Sequence, residues 1–164
     1  MLRDQNLVPL SHQHQHALAL CVRIDRASPI PASDLKVWQE EIGQHFRNEI
    51  AVHFTAEESV VFPVGQRFRE LLPLIDDLLA DHTYLRESFA LAEAKQMTAK
   101  DLSAFAQRLS THIRKEERNL FERLQALLDK EELAELGQRL EDALKNTADS
   151  CVLSQQATKL KPRK

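Results

Sequence analysis

A six-residue pattern that occurs twice constrains the fold of this chain more than any other feature. It reads HFTAEE at residues 53–58 and HIRKEE at residues 112–117. In each copy a histidine precedes a glutamate by four residues, which on an α-helix puts the imidazole and the carboxylate on one face, a turn apart. A phenylalanine follows each histidine by nine residues, at Phe62 and Phe121. The repeat therefore predicts two related helix pairs, each bringing one imidazole and one carboxylate to a shared centre.

Composition predicts one soluble all-α domain. The chain has 164 residues, of which 43% are hydrophobic, and only three are glycine. This length suffices for one core, and the abundance of Leu, Ala, Glu, Gln and Arg favours helices over sheets. The net charge of −3 gives no general case for nucleic-acid binding. Cys21 and Cys151 are expected to be reduced thiols.

No leader pattern or apolar run approaching about 20 residues is present, so we expect a cytoplasmic protein that binds no membrane. Hydrophobic periodicity predicts an up-down-up-down four-helix bundle over residues 9–128, with helices near 9–27, 34–62, 73–96 and 98–128. Capping signals at Thr98 with Asp101 and at Asp129 with Glu132 separate the later helices. An additional C-terminal helix is predicted at 130–145, which extends the domain to residues 1–146, and residues 147–164 are predicted to be a flexible tail.

Each of the four bundle helices carries a histidine on its inward face. A lone inward histidine is most often a core residue with a nearby hydrogen-bond partner, but four imidazoles with two carboxylates are costly to bury without compensation. A metal centre removes that cost, and mixed imidazole and carboxylate sets suit iron, manganese or zinc. The repeat further implies an approximate two-fold arrangement of two metals, with Glu57 and Glu116 placed to span between them.

Four short runs together resemble the hemerythrin-like, or HHE cation-binding, domain family. They are residues 9–14 (PLSHQH), 53–58 with Phe62-Pro63 after it, 81–85 (DHTYL) and 112–117. The resemblance implies a four-helix bundle around two iron ions with a bridging oxo or hydroxo group, which meet oxygen, peroxide or nitric oxide. It also implies the ligands, with both glutamates as bridges: His14, His53, Glu57, His82, His112 and Glu116.

The chain departs from the oxygen-carrying hemerythrins on its third helix. Those proteins have two histidines four residues apart there, whereas His82 is followed by Arg86 and preceded by Leu78 at that spacing. One ligand is therefore missing or replaced, which favours a sensing or redox-active role over reversible oxygen carriage. The substitutes considered are His12, His16 and Tyr84.

Helical periodicity also leads to predictions for three further polar residues. Glu58 and Glu117, beside the proposed bridges, are predicted to orient imidazoles, with a surface charge as the alternative. His45 faces away from the main apolar stripe and is predicted to lie at the surface.

The leading hypothesis is thus a non-haem di-iron protein that binds, senses or reacts with oxygen, peroxide or nitric oxide, or that senses iron. The alternatives are peroxide disproportionation at the same centre and a helical interaction module with a zinc-bound or metal-free core. The Glu-x-x-His spacing of ferritin-like bundles, glycine-rich phosphate loops and Cys-x-x-Cys zinc motifs do not occur. Oligomeric state and a partner protein stay open.

Overall fold

The computed structural model describes residues 2–145, which form helices and no strand, so the all-α prediction is confirmed. Residues 147–164, predicted to be a flexible tail, lie outside this range. The helices are α1 (Val8–Ala27), α2 (residues 35–65), α3 (Leu72–Glu93), α4 (residues 99–127) and α5 (Lys130–Leu144). The first four form the predicted bundle and α5 is the additional C-terminal helix. The proposed domain boundaries of 1–146 remain a prediction.

Helices α2 and α4 are interrupted by π turns, in which the backbone accommodates an extra residue. In α2 these turns are Phe46–Ile50 and Glu57–Val61, and in α4 the turn is Glu116–Leu120. Two of the three begin at the first glutamate of the repeated histidine motif, that is, at Glu57 and at Glu116. The internal repeat seen in the sequence therefore extends to the backbone, and it singles out these two glutamates. π turns are uncommon and often occur at functional sites.

Both predicted capping signals are confirmed. The backbone N–H of Asp101 donates to Thr98 Oγ1 at 3.2 Å, and the backbone N–H of Thr98 donates to Asp101 Oδ2 at 2.8 Å. Asp129 and Glu132 form the same reciprocal box at the start of α5. Each box satisfies two backbone donors that a helix N-terminus otherwise leaves without partners.

The bundle core consists of two apolar layers. One layer is built around Trp38, Phe89 and Phe105, and the other around Phe62 and Phe121. Helix α4 packs along α1 and α3, α3 also packs along α2, and α5 lies against the middle of α2 on the outside of the bundle. The inward leucines of α5 extend the second layer: Leu133, Leu136, Leu140 and Leu144.

Among residues 2–145, no helix combines the length and the apolar character that crossing a bilayer requires.

Candidate metal centre

The six predicted ligands meet in the middle of the bundle, and each is at most 3% exposed. Their donor atoms form two groups that share both glutamates, and the atoms of each group lie within 4.8 Å of one another. The first group adds His14 and His53 to the glutamates, and the second adds His82 and His112. The structure thus has the approximate two-fold arrangement that the sequence repeat implies.

Glu57 reaches both histidine pairs, one with each carboxylate oxygen. Its Oε1 is 3.0 Å from His53 Nε2 and 3.8 Å from His14 Nε2, while its Oε2 is 3.3 Å from His82 Nε2. Neither oxygen accepts a hydrogen bond from any residue within 2–145. A buried carboxylate whose oxygens face opposite sets of nitrogen donors has the geometry of a bridge between two cations.

Glu116, on α4, also reaches both histidine pairs, one with each carboxylate oxygen. Its Oε2 is 3.1 Å from His14 Nε2, and its Oε1 is 3.3 Å from His112 Nε2. Both of its oxygens are likewise buried and without a hydrogen-bond partner in the described part of the chain. The two motif glutamates are therefore related by the same pseudo-symmetry as the histidines.

Each imidazole is oriented by a partner at its other ring nitrogen. The Nδ1 contacts are His14 to Glu117 Oε1 at 2.7 Å, His82 to Glu58 Oε1 at 2.8 Å, His53 to Gln13 Oε1 at 2.7 Å and His112 to Asp81 Oδ2 at 3.4 Å. All four partners are acceptors, so in a neutral imidazole the Nδ1–H donates outward and the Nε2 lone pair faces the centre. This is the orientation that metal-binding histidines usually take.

The nitrogen atoms at the centre require a positive charge among them. His14 Nε2 and His53 Nε2 are only 3.1 Å apart. Because both Nδ1–H groups donate to oxygen acceptors, the two lone pairs would face each other unless a proton or a metal ion lies between them. Mixed nitrogen and oxygen donors with orphaned carboxylate oxygens fit one metal ion in each donor group.

Without metal, protons supply part of this charge. Burial lowers the pKa of His14, but the carboxylates of Glu116, Glu117 and Glu57 outweigh it and raise the pKa well above 6.5. Burial raises the pKa of Glu57, yet the imidazoles of His53, His14 and His82 bring it well below 4.5. The metal-free centre is therefore a set of buried ion pairs that gains stability from any cation able to replace its protons.

Phenylalanine rings surround the centre and separate it from solvent. Phe54 stacks on His82 with ring centroids 3.9 Å apart, and Phe62 lies 5.4 Å from the same ring. Phe121 stacks on His14 at 5.7 Å. The phenylalanine that recurs nine residues after each motif histidine therefore packs against an imidazole contributed by another helix.

Glu58 and Glu117 orient imidazoles, as predicted. Each is also held from the surface side, because Arg86 donates to Glu58 at 2.7 Å and Arg3 donates to Glu117 at 2.6 Å. The hydrogen bonds from His14 and Ser11 lower the pKa of Glu117 to about 2 against the opposing effect of burial. Burial likewise opposes the ionisation of Glu58, but Arg86 and His82 lower its pKa, so both carboxylates stay ionised near neutral pH.

None of the three candidate substitutes for the missing histidine lies in either donor group. His12 is exposed, His16 contacts Glu49 at 3.0 Å, and the exposed Tyr84 lies under the guanidinium of Arg108. The centre in the described residues therefore has two imidazoles and two shared carboxylates on each side.

The prediction that His45 lies at the surface is wrong, because its side chain is buried. Arg23 and His16 from α1 cover this face of α2, where they contact Glu41 and Glu49. The π turn that starts at Phe46 also breaks the ideal helical projection on which the prediction depended. Burial, with the nearby positive charges, lowers the pKa of His45 to about 4.

Cys21 is a free thiol in the core, and burial raises its pKa to about 12. Cys151 lies outside the described residues.

Two residues of the site were not found from the sequence, Gln13 and Asp81. Their partnership with His53 and His112 joins residues that are 40 and 31 positions apart, so no local pattern reveals it. One signal was nevertheless available, because each of them directly precedes a candidate ligand, His14 or His82.

The family model described as the hemerythrin HHE cation binding domain matches residues 8–124, well over half of the chain. No curated protein and no solved structure matches the chain. The matched range contains all six predicted ligands.

Proposed function

Because the chain belongs to the hemerythrin HHE cation-binding domain family, we propose that it is a non-haem di-iron protein. Its ligands would be the six residues of the two donor groups, with both glutamates bridging. Its role would be to bind, sense or react with dioxygen, peroxide or nitric oxide, or to sense iron.

The main support for this proposal is that the glutamate oxygens are buried without hydrogen-bond partners. Four carboxylate oxygens, on Glu57 and Glu116, are fully buried and accept no hydrogen bond from residues 2–145. An isolated ionised carboxylate in that state costs several kcal/mol, about 20 in the idealised limit, and the protonated imidazoles of the metal-free centre offset only part of this cost. Cations between the glutamates and the imidazole Nε2 atoms would remove this cost for all four oxygens at once.

The same observation argues against the metal-free interaction module. Histidines that serve only packing use their ring nitrogens for hydrogen bonds within the protein, whereas His82 Nε2 and His112 Nε2 are buried without one in the described range. Their Nδ1 atoms, by contrast, do have partners. A ring whose Nδ1 has a hydrogen-bond partner while its Nε2 has none is typical of a metal-binding histidine.

Iron and zinc would use the four donors of each group differently. Each donor group supplies two imidazole nitrogens and one oxygen from each glutamate. Four ligands are enough for a closed tetrahedral zinc site, whereas a six-coordinate iron ion would keep places for water or a small oxidant. Iron bound there would supply one-electron chemistry toward oxygen species or nitric oxide.

The protein itself would hold the ligands in position and keep water away from the centre. The Nδ1 partners hold the imidazoles in place, and the rings of Phe54, Phe62 and Phe121 exclude bulk water. Because buried charges interact strongly in such surroundings, the anionic bridges favour multivalent cations over protons as pH rises.

Elemental analysis and an absorption spectrum of protein purified under air test the proposal. We expect about two irons per chain and near-ultraviolet charge-transfer bands. His53→Ala or His112→Ala should abolish tight metal binding, and His12→Ala, which changes an exposed histidine of α1, should leave it intact. A colourless protein without iron, or full iron occupancy in both His53→Ala and His112→Ala, would overturn the assignment.

A separate assay distinguishes an enzyme from a sensor. Oxygen evolution from peroxide by the iron-loaded protein, absent from the His112→Ala variant, would indicate peroxide disproportionation. A loaded protein that changes its spectrum with peroxide or nitric oxide without turnover would favour sensing.

A further inference from the structure

The two donor groups differ in one contact that the pseudo-symmetry would otherwise make equal. Gln13 and Asp81 occupy equivalent places, since each directly precedes a histidine of its own helix and contacts the Nδ1 of a motif histidine on another helix. Gln13 Oε1 is 2.7 Å from His53 Nδ1, and Asp81 Oδ2 is 3.4 Å from His112 Nδ1. One acceptor is a neutral amide and the other is a carboxylate.

Asp81 has cationic partners on both of its carboxylate oxygens. Arg108 Nε lies 2.6 Å from Oδ1, and Lys115 Nζ contacts Oδ2. These surface cations reduce the influence of its charge on the imidazole without removing it. The Gln13 amide has no formal charge at any accessible pH.

The remaining Nδ1 contacts do not compensate for this difference. His14 is paired with Glu117 and His82 with Glu58, at nearly equal distances of 2.7 and 2.8 Å, and each of these carboxylates also has an arginine partner. The His82 and His112 pair is therefore supported by two carboxylates. The His14 and His53 pair is supported by one carboxylate and one amide.

A carboxylate that accepts from Nδ1–H makes the Nε2 of the same ring a stronger donor to a metal, and removing such a partner typically weakens metal binding 10- to 100-fold. We infer that the two metal positions are unequal: the position between His82 and His112 fills first, and Gln13 makes the position between His14 and His53 the weaker and more exchangeable one. This inference rests on the proposed function, because it requires that both donor groups bind metal.

The order of filling is measured with Zn²⁺, which has no redox chemistry, added to metal-free protein whose histidine ring nitrogens are labelled with ¹⁵N. We expect the first equivalent to shift the Nε2 resonances of His82 and His112, and the second to shift those of His14 and His53. Calorimetry of the same titration should show two steps that differ by about tenfold or more in affinity.

Two substitutions that hardly change side-chain size test whether the charge of the Nδ1 partner determines the order of filling. Gln13→Glu supplies the missing carboxylate and should strengthen the weaker step about tenfold, so that both positions fill together. Asp81→Asn removes the existing carboxylate and should weaken the first step by 10- to 100-fold. Gln15→Glu adds the same charge to an exposed position of α1 and should leave the order unchanged.

The outcomes distinguish this inference from the proposal on which it depends. Zn²⁺ that fills both positions together in the unmodified protein, or a Gln13→Glu variant that behaves like Gln15→Glu, refutes the inference and leaves the dinuclear centre standing. No binding of metal at all refutes the proposed function and this inference with it. Asp81→Asn gives an independent reading of the same contact if Gln13→Glu fails to fold.

Discussion

Metal binding at this centre should release protons from its imidazoles. The pKa values of His14 and His82 lie above 6.5, because neighbouring carboxylates outweigh the lowering effect of burial. At pH 6.5 both imidazoles are thus more than half protonated in the metal-free protein. Glu57 has a pKa well below 4.5 and is already ionised, so it contributes no proton. Because both imidazoles must lose this proton to bind metal, loading both positions should release more than one proton per chain.

The protons released on binding determine how the affinity for metal depends on pH. Each displaced proton lowers the apparent binding constant about tenfold for every pH unit below the imidazole pKa, so two protons lower the product of both constants about 100-fold per unit. That corresponds to about 2.8 kcal/mol per pH unit. Tight binding at neutral pH should consequently be lost steeply on acidification.

Calorimetric titration with Fe²⁺ under anaerobic conditions measures the release directly. Runs at pH 6.5 in two buffers of different ionisation enthalpy give the number of protons from the difference in observed heat. His12→Ala, an exposed histidine of the same helix as His14, should give the same number as the unmodified protein. Binding of two metals with equal heats in both buffers would refute the assignment of protons to these imidazoles.

The same groups determine how the metal-free protein responds to pH. A raised histidine pKa contributes stability that is present below 6.5 and is lost as pH rises through the pKa of the folded state. The lowered pKa values of Glu57 and Glu117 contribute stability that is present above 4.5 and is lost as pH falls. His45, whose pKa is lowered to about 4, acts in the opposite direction, because it costs stability below pH 6.5. Two imidazoles with a raised pKa are set against this one, so the metal-free protein should be more stable to urea at about pH 5.5 than at about pH 8. The reverse order would contradict the ion-pair description of the metal-free centre.

Three other perturbations test the surroundings of the centre. Glu117→Gln removes the carboxylate that His14 contacts and should weaken metal binding 10- to 100-fold in competition with a chelator, whereas unchanged affinity would show that Glu117 is only a surface charge. Phe54→Leu removes the ring stacked on His82 and should lower the free energy of unfolding of the metal-free protein by about 1–2 kcal/mol in a denaturant titration. Leu140→Ala, in α5, should lower it by about 2–5 kcal/mol while the protein still binds two metals per chain, and loss of metal would show that α5 also shapes the centre.

Much of the site was predictable because helix periodicity is a local property. A histidine and a glutamate four residues apart share a helix face whatever the rest of the chain does, so His53 with Glu57 and His112 with Glu116 were readable as pairs. The apolar stripes around His14 and His82 then indicated burial, and burial of so many polar groups in one core indicated a metal. The capping boxes at Thr98 and Asp129 were likewise local patterns.

The projection failed where the backbone departs from an ideal helix. His45 was placed at the surface by assuming a constant rotation per residue along α2, but the π turns at Phe46–Ile50 and Glu57–Val61 change that rotation. Its burial also depends on α1, whose Arg23 and His16 cover it. No pattern within α2 contains information about a helix that begins 27 residues earlier.

The sequence by itself thus determined the helices, their inward faces and the donor types that meet between them. Only the tertiary structure decided which carboxylate oxygen faces which imidazole, which residue holds each Nδ1, and that Gln13 and Asp81 are counterparts. The physical reason is distance along the chain. Helix faces follow from hydrogen bonds four residues apart, whereas the contacts between helices that orient the imidazoles join side chains 24 to 103 residues apart.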